Sequence, residues 1–70
     1  MLRIPDFTKP EIEKIKELAN FTERELKVFD LRNEEYAHEQ IAEFMDISIA
    51  TEYRINRSMI QKIVKILGNY

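Results

Sequence analysis

Cysteine and tryptophan are absent from this 70-residue chain, and it holds only one glycine, two prolines and one histidine. The lack of cysteine excludes disulfides, thiolate chemistry and cysteine-ligated metals. Strand-rich folds need turn residues between many short elements, and one Gly with two Pro supply too few, so the expected fold class is all-α. No apolar run is long enough to span a bilayer or serve as a signal-peptide core, so no membrane span is expected and a cytoplasmic, reducing location fits. With one His, no Cys and no Gly-rich phosphate loop, the chain shows no enzymatic constellation. No cofactor or metal is expected, and His38 reads as an isolated surface side chain.

Negative charge is missing from one end. All 13 Asp and Glu lie in residues 1–52, which carry seven Lys and Arg and so a net −6. Residues 53–70 contain Arg54, Arg57, Lys62 and Lys65 with no acid, a net +4 that brings the chain to −2. A mildly acidic protein binds polyanions poorly over its whole surface, because Lys and Arg supply that affinity. Any nucleic-acid contact must therefore use one local face.

What is present is helical punctuation over one unit of 70 residues. Residues 1–7 read as an irregular arm broken by Pro5. Thr8-Lys9-Pro10-Glu11 has the spacing of a capping box with Pro in the first turn. The helix it opens, about residues 9–19, aligns Ile12, Ile15, Leu18 and Ala19 on one face. Thr22-Glu23-Arg24-Glu25 is a second capping box, and Phe21 is placed to staple onto Leu26. Leu26, Val28 and Phe29 are the expected buried residues of a helix over about 22–31. After the polar connection Arg32–Glu35, a third helix is expected from Tyr36, with Ile41, Phe44 and Met45 apolar. Met45-Asp46-Ile47-Ser48 reads as a tight turn. Ser48 caps a last helix from Ile49 to Leu67, closed by a left-handed Gly68.

Helix, tight turn and capped helix over residues 36–58 make a helix-turn-helix, whose second helix is the element that enters a DNA groove. From Phe21 to Ile63 the chain resembles the helix-turn-helix of LuxR-type response-regulator effectors and the fourth region of bacterial sigma factors. Phe21-Thr22-Glu23-Arg24-Glu25-Leu26 is similar to the Leu-Thr-x-Arg-Glu-x entry of those domains. Gln40-Ile41-Ala42-Glu43, Met45, Ile47-Ser48 and Thr51 match their pattern around the turn. Three residues depart from it. Asp46 stands where Gly or Asn is usual, Glu52 where the family has a buried Val, and Asn56 where another apolar residue is expected. Two registers follow for the last helix: Tyr53 and Ile60 take over the core through a small rotation, or Glu52 and Asn56 face solvent and the packing differs.

The resemblance implies a small sequence-specific transcriptional regulator of bacterial or phage type. It would insert the helix at about 49–58 into the major groove of double-stranded DNA, with Ser48, Ala50, Thr51, Tyr53, Arg54, Arg57 and Ser58 as candidate DNA-binding residues. Arg54 and Arg57 share a helix face, and Arg is the commonest reader of guanine. One small domain covers a single half-site. A homodimer through Ile60, Ile63, Val64 and Leu67, or a transcription-complex partner, is therefore expected. The alternative is a protein-interaction module on the same scaffold that does not bind DNA, a reading that Glu52, Asn56 and the acidic body favour.

Overall fold

The protein is described here by a computed structural model over residues 7–68. Four helices follow in order: α1 (Lys9–Leu18), α2 (Glu23–Asn33), α3 (His38–Met45) and α4 (Ile49–Leu67). Among the described residues there is no strand, so the fold is all-α. Both capping boxes form. The Thr8 N–H donates to the Glu11 carboxylate at 2.8 Å, and the Thr22 N–H donates to Glu25 Oε1 at 2.9 Å. The bonds from Thr8 hold the Glu11 carboxyl below the usual carboxylate range.

Residues from all four helices meet in one core of Ile15, Ala19, Val28, Phe29, Ile41, Met59 and Ile63. The long helix α4 is its axis, and the other three pack against it. Ile41 and Ala42 are the buried residues on the inner face of α3.

The turns are built without glycine. Asn20, Glu35 and Asp46 take positive φ angles of 53°, 67° and 56°. After α3, the Asp46 N–H donates to Glu43 O and the Ile47 N–H to Ala42 O, at 3.2 and 3.0 Å. This is the Schellman pattern, which satisfies carbonyls at a helix end and requires the left-handed residue. The same pair of bonds follows α2, from Glu35 to Arg32 O and from Tyr36 to Leu31 O. The only glycine does not serve in this way: Gly68 has φ −69°, right-handed, and merely continues the last turn, which corrects the left-handed cap expected of it.

Several other expectations are corrected. The third helix begins at His38, because Tyr36 and Ala37 are used in leaving the preceding turn. Phe21 packs on Phe29, ring centroids 5.2 Å apart, and Leu26 is exposed. Leu18 also points outward, leaving Ile15 and Ala19 as the buried residues of its face. Phe7, placed in the irregular arm, packs against the core, while residues 1–6 lie outside the described residues.

Candidate nucleic-acid interface

The corner between α3 and α4 is fixed by its own hydrogen bonds. Ser48 Oγ accepts the Thr51 N–H at 3.1 Å and donates to Thr51 Oγ1 at 2.8 Å. The cap satisfies an open N–H of the helix start and holds the Thr51 hydroxyl against it. At the start of α3, Gln40 Oε1 accepts the Ala37 N–H at 2.9 Å. Alanine has no side chain to return that bond, so this is half a capping box.

The decisive placement is that of Glu52. Its side chain is fully buried, and both carboxylate oxygens face Nδ1 of His38, at 2.7 and 2.8 Å. This is the geometry of an Nδ1–H donating to a carboxylate. Glu52 thus points inward, and His38 at the head of α3 supplies the polar partner the burial requires. Three expectations fail here. His38 is not an isolated surface side chain, the last helix is not rotated to bring Tyr53 into the core, and Glu52 does not face solvent as the second register has it. Tyr53 is 49% exposed, with its ring against the His38 ring at a centroid distance of 4.8 Å. Asn56 is half-buried one turn below Glu52.

With Glu52 inside, the outward face of α4 presents Ala50, Tyr53, Arg54 and Arg57, all exposed. Their spacing places them on one side of the helix. Ser48 is exposed at its head, and Thr51 is half-buried beside it. Ser58 does not join this face. Its hydroxyl donates to Glu25 Oε2 at 2.5 Å, across to α2.

Glu25 is the centre of a second inner polar cluster, only 5% exposed. Besides Ser58, it accepts from Lys62 Nζ at 2.6 Å, and Lys62 also reaches Asn20 O at 3.2 Å. Burial pushes the Glu25 carboxyl up, but Lys62, Ser58 and the Thr22 N–H outweigh it and bring the pKa to about 2. Lys62 is therefore held by the α2–α4 junction, and the exposed basic residues of α4 are Arg54, Arg57 and Lys65.

The homodimer face expected on α4 is not available as drawn. Ile63 is fully buried in the core, Ile60 and Leu67 are packed against it, and of the four only Val64 is exposed. Both polar clusters were missed in the sequence, though each left a signal. Glu52, Met59 and Ile63 are spaced by seven and four, as are residues on one helical face, and Glu25 stands three and four before Val28 and Phe29. A carboxylate on a buried stripe demands a partner.

Among the described residues no group of three or more His, Asp or Glu is arranged to hold a metal, and no helix is long and apolar enough to cross a membrane. Comparison with protein-family models, curated proteins and solved structures gave no match.

Proposed function

We propose that this protein is a small cytoplasmic DNA-binding regulator without enzymatic activity that places the first half of α4 in the major groove. The observation that carries the reading is the composition of the open face of α4. Ala50, Tyr53, Arg54 and Arg57 are exposed together, and the one carboxylate in that stretch, Glu52, is turned inward onto His38. A phosphate approaching this face meets two guanidiniums and no acid. Arg54 and Arg57 can each contact a phosphate or a guanine edge. Tyr53, steadied by the His38 ring, offers a hydroxyl to a base or phosphate. Ser48 lies where the N-terminus of the recognition helix meets the backbone. The resemblance to LuxR-type effectors and to the fourth region of sigma factors points the same way.

Titration of duplex DNA at two salt concentrations, with wild type and an Arg54→Ala/Arg57→Ala variant, tests this. Wild type is expected to bind with a salt dependence that becomes shallower in the variant by about 0.9 log unit per phosphate contact removed. The variant should bind at least tenfold more weakly while its helicity and melting are unchanged. Undetectable binding of wild type to pooled random duplexes at low salt would overturn the reading. It would leave the alternative, a protein-interaction module. One observation favours that alternative: residues 33–53 contain no Lys or Arg, so the surface beside α4 is acidic.

A further inference from the structure

The acidic surface has an apolar centre. Between Arg32 and Arg54 the chain carries six carboxylates, and with Glu52 inside, Glu34, Glu35, Glu39, Glu43 and Asp46 are all exposed. Phe44 projects from α3 among them, 62% exposed, its ring supported edge-on by Tyr36 at a centroid distance of 5.3 Å. An aromatic side chain buries a large apolar area when covered, so this surface gains from a partner with an apolar cleft and positive charge. The same chain offers a positively charged cleft of mixed lining, with an apolar wall formed by Leu18, Ala19 and Ile66. Leu18, Ala19, Lys62, Lys65 and Ile66 line a groove of about 350 Å³ between the ends of α1 and α4. Its lip, Leu18, is 53% exposed, and Lys65 is open with no ion-pair partner among the described residues. Ile66 lies 14 residues beyond Glu52 on one continuous helix, about 21 Å along its axis, so the groove is at the end of α4 away from the corner with α3.

We propose that these two surfaces bind each other between copies of this chain: Phe44 of one copy seats in the Leu18–Ile66 groove of the next, with Glu39 and Glu43 facing Lys65. The two surfaces differ, so the proposed contact is heterologous, and its repetition gives a head-to-tail chain, open or closed into a ring of three or more copies. The contact uses none of the residues on the open face of α4. It therefore stands whether or not that face reads DNA.

Sedimentation velocity of the full chain over a wide concentration range, at low and high salt, tests it. Wild type is expected to form species that grow beyond the dimer with concentration, and high salt should weaken them. Phe44→Ala, Glu43→Lys and Lys65→Glu are each expected to lower the association constant at least tenfold, with circular dichroism confirming the fold. Mixing Glu43→Lys with Lys65→Glu should restore association, because each variant then offers the charge the other lacks. Both charge reversals lie at exposed positions, so this result stands even if Phe44→Ala fails to fold. A wild type that stays monomeric at the highest concentration overturns the proposal. So does a dimer that never grows, association indifferent to all three variants, or a mixture that stays apart.

Discussion

His38 Nδ1 lies 2.7 and 2.8 Å from the two carboxylate oxygens of Glu52, tying the first turn of α3 to the first turn of α4. Glu52 is fully buried, so its charge has no water to fall back on. Leaving a buried polar group without its partner costs about 1–3 kcal/mol, whereas replacing both partners by apolar groups of the same shape can be nearly neutral. His38→Ala is therefore expected to lose about that much in denaturant unfolding, a large part of what a domain of this size possesses. His38→Leu/Glu52→Val should recover most or all of it. A double variant as unstable as the sum of the two single changes would show that the pair has no mutual dependence.

Glu25 gives the fold an acid limit. Its carboxyl is brought from an ordinary 4.5 to about 2, so the folded state holds the proton less tightly than the unfolded chain. The stability this supplies is complete above about 4.5 and is lost as pH falls from there towards 2, up to about 3 kcal/mol in all. Unfolding free energies measured across that window should fall with decreasing pH. Lys62→Met is expected to raise the Glu25 carboxyl pKa, followed by NMR titration of its side-chain carbon, and to flatten that part of the profile. An unmoved titration would remove Lys62 from the account.

The left-handed turns predict stabilising changes. Glu35 and Asp46 hold φ angles of 67° and 56° with their side chains exposed. A left-handed conformation costs an L-residue roughly 1–2 kcal/mol, less for Asp than for Glu, while glycine enters it freely at a greater loss of unfolded-state entropy. Glu35→Gly is expected to raise stability by about 0.5–1 kcal/mol and Asp46→Gly by less. Asp46→Val should lower it by about 1 kcal/mol or more, because a β-branched side chain is the worst fit to that backbone. Thermal melts of the three variants rank them, and a destabilised Glu35→Gly would count against the Schellman turn after α2.

These turns also mark where the sequence was readable. Thr8, Thr22 and Ser48 announced helix starts through local spacing, and α4 begins and ends where its cap and apolar period placed it. Chain reversals at Glu35 and Asp46 depend on backbone conformations that no glycine advertised. The side of α4 that faces DNA in the proposed reading turned on Glu52, whose burial depends on His38, 14 residues away. The resemblance put a buried residue at position 52, and the charge of Glu52 argued for the outer face. A long-range hydrogen bond decided for the inner face, and no local pattern encodes such a bond. Leu18 and Leu26 were misread for the opposite reason: apolar character put them on the inner face, and both are exposed.

Neighbouring residues on α4 separate stability from recognition. Ser58 turns inward to donate to Glu25, while Arg57 stands exposed on the open face. Hydrogen bonds to a charged group contribute about 1.5–3 kcal/mol, so Ser58→Ala is expected to destabilise by about that amount. Once correction is made for the folded fraction, it should leave the affinity for DNA and its salt dependence unchanged. Arg57→Ala should do the reverse, melting within about 0.5 kcal/mol of wild type while losing salt-sensitive affinity. Equilibrium unfolding and duplex titration on the same two variants give four values. A Ser58→Ala variant that keeps full stability but loses affinity would move that hydroxyl to the outer face and break the geometry on which the α4 interface is built.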